Sequence, residues 1–191
     1  MNNWILPTSV HVAGVDWQIE TNYKAVLDVL IQYNNPDYDE EDKLFYLLIG
    51  LVKDFDKLDP CDYLEMCSAL SDFIDMGATD KTVKPRVMDW EQDASIIIPE
   101  INKQIGNGID VRNMDMHWWT FLGYYMGIGE GTFAHVVSIR TKKAKHQKLE
   151  KWEKDFLNEN KDLVLLKEKL SRQEIEEKEA LLREIDGNRS G

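Results

Sequence analysis

Residues able to do covalent or metal chemistry occur in this 191-residue chain, but their spacing assembles no site. Cys61 and Cys67 stand six apart, which fits neither a CxxC redox pair nor a zinc motif. They read as ordinary thiols, since free cysteine behaves as a small hydrophobe. None of the serines lies in a GxSxG elbow. His11, His117, His135 and His146 are scattered without an HExxH pattern. The acid run Asp37, Asp39, Glu40, Glu41 and Asp42 has the charge of a calcium loop but lacks its glycine and spaced terminal Glu, so it reads as a helix start. Gly123, Gly127, Gly129 and Gly131 suggest a phosphate loop. Gly131 is followed by Thr132-Phe133, however, where a phosphate loop needs Lys-Ser or Lys-Thr, and the glycines follow a helix, not a strand. They read as a helix stop. The chain is therefore expected not to be an enzyme, to use no cofactor and no metal, and to act by binding other proteins.

The most unusual group is the aromatic run around Trp118, Trp119, Tyr124, Tyr125 and Met126. Adjacent residues on a helix point about 100° apart, so the two indoles cannot both face one core. Trp118, Leu122 and Tyr125 share one face, while Trp119 and Met126 lie on an adjacent one. Two readings stand side by side: a large aromatic core helix pinned between neighbours, or a helix exposing one edge to a partner. Aromatic residues are enriched at interface hot spots, which makes these five the candidate partner-binding residues.

The surroundings of that helix follow from composition. The net charge of −12 disfavours nucleic acid, because phosphate binding is driven by Lys and Arg displacing counterions. Anionic membrane surfaces are disfavoured for the same reason, and no apolar run reaches the ~18 residues of a spanning helix. The first residues lack a signal peptide's basic and apolar regions, so a cytosol-like compartment is expected. Residues 1–110 hold 21 acids and 8 bases, whereas residues 140–191 hold 12 acids and 14 bases. That shift predicts a core domain over 1–140 and a charged helical extension over 141–191.

Periodicity supplies the elements. Val10 and Val12 alternate with Ser9 and His11, Ala13-Gly14 turns, and Val15, Trp17 and Ile19 alternate with Asp16 and Gln18, which predicts a hairpin. A lone hairpin is marginal in water, so it must pack on the helices that follow. Tyr23, Val26, Leu27, Leu30 and Ile31 make the first helix face, ending near Pro36. Leu44, Phe45, Leu47, Leu48, Leu51 and Val52 make a second helix apolar around much of its circumference, which predicts a deeply buried position. A third helix opens at Asp59-Pro60 and directs Tyr63, Leu64, Met66, Leu70, Phe73 and Ile74 inward. Gly77–Arg86 reads as a mobile loop. Asp89 is placed to cap the next helix, which Pro99 should kink or split. After Arg140 sparse apolar positions predict one long helix or two, with a break at Asn158-Glu159-Asn160. The fold class expected is mainly α: a small N-terminal β-hairpin packed on a multi-helix bundle, with a long charged C-terminal helix.

The order of these features resembles a known family. Leu6-Pro7-Thr8-Ser9-Val10 enters the hairpin and Ile19-Glu20-Thr21-Asn22-Tyr23 leaves it for helix. The more specific elements are Asp89-Trp90-Glu91-Gln92-Asp93 and His117-Trp118-Trp119. Over roughly residues 4–157 the chain resembles the "gene product fifteen" family of tailed phages and prophages of Gram-positive bacteria. The resemblance implies tail morphogenesis, as a tail-assembly chaperone that binds the tape measure protein and keeps it soluble in the host cytoplasm. It further implies absence from the mature virion, and it carries no catalytic residues. Self-association into an oligomer or helical coat is a second expected contact. A structural virion subunit, such as a tail, connector or baseplate component, is the alternative.

Overall fold

The structure, a computed structural model, describes residues 4–78, 82 and 85–189, the last six as backbone only. It begins with strands β1 (Ser9–Val12) and β2 (Val15–Gln18), antiparallel, with Val10 opposite Trp17 and Val12 opposite Val15. Ala13 and Gly14 both have positive φ, 50° and 77°, the two-residue primed turn whose twist suits a hairpin. Val10, Val12 and Ile19 are buried, Trp17 is half-buried and Val15 is exposed, because β1 lies against the third helix.

Helix α1 (Tyr23–Tyr33) starts at Asn22, whose side chain accepts from the Lys24 N–H. Helix α2 (Glu40–Leu51) starts with a capping box between Asp39 and Asp42, and Glu40, Glu41 and Asp42 occupy its first turn. The acid run is thus spent on the positive end of a helix. Two short 3₁₀ turns, Phe55–Lys57 and Pro60–Asp62, lead to α3 (Tyr63–Ile74). α1 packs on α2, and α3 packs on α2 and β1. Both α2 and α3 lie nearer the surface than their composition predicts. Leu47, Leu48 and Leu51 are buried, but Phe45 and Ile49 are half exposed and Leu64 is 74% exposed. Among the described residues no second layer covers their outer sides.

The expected loop Gly77–Arg86 lies partly outside the described residues. After it come α4 (Ala94–Ile105), α5 (Trp118–Met126) and α6 (Thr132–Ala144). α4 runs through Pro99 without being split; the ring sits on an exposed position, where the lost backbone bond faces water. α7 (Lys151–Glu159) and α8 (Lys161–Val164) turn at Asn160, within the expected break, and fold back on α6. There Val136, Ile139 and Val164 form a second small core with Leu149 and Phe156 at its edge. α9 (Arg172–Arg189) is the long charged helix, joined to the body through Arg172, whose backbone N–H donates to Asp37 at 2.7 Å.

One close approach locks the first two helices. A Cβ placed on Gly50 of α2 would stand 2.5 Å from Cγ2 of Val29 in α1, and a β-branched side chain has little freedom to retreat. Gly50→Ala should cost about 1–3 kcal/mol, the usual range for overpacking a core. Thermal denaturation of the variant checks this, and an unchanged midpoint would show that α1 and α2 cross less tightly.

Candidate functional site

Both aromatic-rich motifs turn out to be fasteners. In His117-Trp118-Trp119, His117 caps α5: its Nδ1 accepts from the Trp119 N–H at 3.0 Å, which leaves Nε2–H to donate to the Pro7 carbonyl at 2.8 Å. The Trp118 indole N–H donates to the Ile74 carbonyl and that of Trp119 to the Phe73 carbonyl, each at 2.8 Å. Successive tryptophans thus donate to successive carbonyls at the C-terminal end of α3, where the Phe73 carbonyl also accepts from the Met76 N–H. The argument that two adjacent indoles cannot both face one core fails here: Trp118 is buried in the core and Trp119 packs against it, and both reach the same helix end.

In Asp89-Trp90-Glu91-Gln92-Asp93 every residue has a partner. Asp89 does not cap α4 directly. It accepts from the Glu91 and Gln92 N–H groups at 3.0 and 2.8 Å, and its own N–H donates to Asp93 at 2.9 Å, forming a turn ahead of the helix. Arg86 pairs with the Asp89 carboxylate, and Lys169 stands 3.5 Å away. Burial alone would raise the pKa of Asp89, but the Gln92 N–H, Lys169 and Arg86 together hold it below the ordinary carboxylate range. Gln92 grips the returning chain, donating to the Leu165 carbonyl at 2.8 Å and accepting from the Lys167 N–H at 2.9 Å. Asp93 is wholly buried and receives two N–H donors of Arg140, at 2.6 and 2.9 Å. The same guanidinium donates to the carbonyls of Val87, Leu163 and Val164.

The five residues singled out from sequence therefore divide. Trp118 is 1% exposed and stacks on Phe121, so it offers no edge to a partner in this conformation. Trp119 is half-buried against Phe73. Tyr124 and Tyr125 are half-buried; Tyr125 packs on Trp90 and Phe133, and burial followed by the charge of Asp93 raises its phenol above the ordinary value. Met126 is 64% exposed.

α5 also stands between α1 and α4, since it packs on both. Between them runs an apolar groove of about 380 Å³, with Leu27 and Ile31 on one wall, Ala94 and Ile98 on the other and Phe121 at the floor. Tyr23 stacks on Phe121 at 4.5 Å and is fixed by its hydroxyl, which donates to the Val111 carbonyl at 2.8 Å. Burial raises the Tyr23 phenol above its ordinary value. Lys24 and Asp28 stand at the rim. Sequence reasoning placed the aromatics on α5 but missed this groove. Its signal was the breadth of the α1 stripe, which is wider than one neighbouring helix needs.

Other candidate chemistry has structural partners. Cys61 is exposed, and its hydrogen bond to Asp59, with burial and Asp62, pushes its thiol up to about 11. Cys67 is buried in α3. Among the described residues no three His, Cys, Asp or Glu side chains are grouped to hold a metal ion, and no helix is long and apolar enough to cross a membrane.

Residues 3–166 match the family described as Bacteriophage Gp15 protein. The chain belongs to that family. It is a bacteriophage protein of structural or assembly-related type. The Gp15 match ends between the two residues, Leu165 and Lys167, whose backbone Gln92 holds, so it takes in both fastening motifs and the second small core, and α9 falls outside it. No curated protein and no solved structure matches the chain.

Two outcomes follow from the buried charges of this Gp15 chain. Arg140→Met should cost about 3–5 kcal/mol, because Asp93 is left buried without its partner. Arg140→Lys should also destabilise clearly, since one ammonium cannot reproduce a planar fork serving a carboxylate and three carbonyls. Urea denaturation measures both. The second outcome concerns acid. Asp89 has a folded pKa below its unfolded value, so its contribution is present above about pH 4 and is lost as pH falls through the folded value. Asp89→Asn should therefore be less stable than wild type at pH 7, with the gap closing toward pH 2. A gap that stays constant across this range would contradict the assignment.

Proposed function

We propose that the chain is a tail-assembly chaperone that binds the tape measure protein of its phage through the α1–α4 groove. Family membership supports a phage assembly role. The finer reading rests on the gene order implied by the resemblance, in which such genes lie between those for the major tail protein and the tape measure protein. The observation that carries it is the apolar groove itself, in a protein whose net charge of −12 gives solubility and self-repulsion. A long helical client presents apolar residues at i, i+3, i+4 and i+7, and a groove between two helices is the surface that takes such a stripe. Displacement requires reversible binding. A shallow groove lined by half-buried side chains suits that better than a deep pocket.

On this reading the protein acts in the host cytoplasm and is absent from the mature virion. Co-expression with the tape measure protein encoded beside it should give a soluble, stoichiometric complex in a pull-down. Leu27→Lys and Ile98→Lys, checked for folding by circular dichroism, should each weaken that complex about tenfold or more, the loss typical of a central interface position. Aggregated client with this protein alone in the supernatant would overturn the reading. Peptides of it in the mass spectra of purified virions would instead make it a structural subunit of the tail, connector or baseplate.

A further inference from the structure

The charged C-terminal helix has an apolar side with nothing laid against it. Ile175, Leu181 and Leu182 of α9 are 44%, 58% and 53% exposed, and among the described residues α9 lies along no other element. An isolated helix of this length is marginal in water, and an apolar stripe on it needs a surface. The chain reaches α9 beside such a surface. Leu170 lines a cavity with Ile31 and Asn35, and Ile31 is also part of the wall of the α1–α4 groove. Two residues on, Asp37 holds the Arg172 N–H at 2.7 Å, just past the end of α1. α9 therefore starts at the mouth of the groove.

We propose that α9 turns at Ser171 and covers the α1–α4 groove of its own chain, running antiparallel to α1. Length and charge both fit. Ile175 and Leu182 lie seven residues apart, about 10 Å along a helix, and so do Ile31 and Lys24 on the groove wall. With Ile175 laid at Ile31, Lys178 comes to Asp28, each being three residues further along. Among the charged residues that line the groove, Lys24 is paired with Asp115 and Arg112 with Asp110. Asp28 has no ion-pair partner among the described residues. On α9, Glu179 is paired with Arg183. Lys178 has no such partner among the described residues, and it sits three or four residues from Ile175, Leu181 and Leu182, on their side of the helix. A lysine within an apolar stripe fits a surface that offers one acid between apolar walls, and the groove is such a surface. The connection through Ser171 is short, which holds α9 at an effective concentration in the millimolar range, so even a weak contact closes. The self-contact stands on this geometry alone. That it must yield to a client rests on the function proposed above.

Hydrogen exchange of the full chain, followed by mass spectrometry, tests it. Wild-type amides over 175–183 should exchange about tenfold more slowly than those of an Ile175→Gln/Leu182→Gln variant, the difference made by a docked population of about ten to one. Glutamine is as good a helix former as leucine, so the variant removes the stripe without melting α9 through propensity. Ile98→Lys, on the opposite groove wall, should release α9 to the same degree. Lys178→Glu should weaken the protection, and adding Asp28→Lys should restore it. Wild-type α9 exchanging as fast as the glutamine variant would overturn the proposal. So would protection indifferent to Ile98→Lys, or a charge swap that restores nothing. Protection that grows with protein concentration, with a dimer in sedimentation velocity, would give α9 to a second copy and overturn the cover within one chain. Pull-down with the tape measure protein separates this contact from the proposed function. The glutamine variant should bind that client about tenfold more tightly, having lost the competing helix. Unchanged client binding, with α9 protected in wild type and released by Ile98→Lys, would keep the cover and remove the client from the groove.

Discussion

The fold depends on a single buried guanidinium. Arg140 leaves the middle of α6, enters a space sealed from solvent, and meets the carboxylate of Asp93 together with three backbone carbonyls from two distant stretches of chain. Each of these acceptors would be costly to bury alone. Together they accept the N–H donors of one planar cation, and one placement of α6 against the start of α4 allows it. A buried pair of this kind need not exceed a hydrophobic replacement in stability. Its effect is on register: it fixes where α6 sits along α4, and it holds Leu163 and Val164 so that α8 closes the second small core.

The rest of the returning chain is held by the same turn. Gln92 pairs with the backbone at Leu165 and Lys167, and Glu91 and Asp89 face Lys169. Glu153 repeats the device one layer out. Wholly buried, it receives the Lys142 ammonium and the Glu150 N–H, which hold its carboxyl below the ordinary value. The basic excess after residue 140 is thus not uniformly solvated. Arg140, Lys142 and Lys169 are drawn inward to meet acids of the body or of α7, and the lysines between Lys143 and Lys154 are left outside.

Much of this was legible in the sequence, and the division between what was and was not is physical. The hairpin, its two-residue turn, the helix starts at Asn22 and Asp39 and the break near Asn160 all depend on neighbours within a few positions, where residue type decides conformation. The roles of Trp118, Trp119, Gln92 and Arg140 depend on acceptors 23 to 73 positions away, most of them backbone carbonyls that carry no residue-type signature. A backbone carbonyl is the same in every residue, so no pattern announces that an indole or an amide will find it. The outer faces of α2 and α3 show the opposite error. Phe45 and Leu64 are apolar enough to be read as core, yet burial is decided by how many layers the fold has, and periodicity within one helix does not contain that number.

That last point separates a stable chain from a working one. Residues 4–165 bury Trp118, Phe121 and Met66 without help, so the apolar side chains left outside are not shortfalls of the core. They are grouped: Leu27, Ile31 and Ile98 along the groove, and Phe45 and Leu64 on the outer side of α2 and α3. Scattered exposed hydrophobes are ordinary on any protein, whereas grouped ones with charged rims mark contact surfaces. A strongly acidic body can carry such groups because self-repulsion suppresses indiscriminate association.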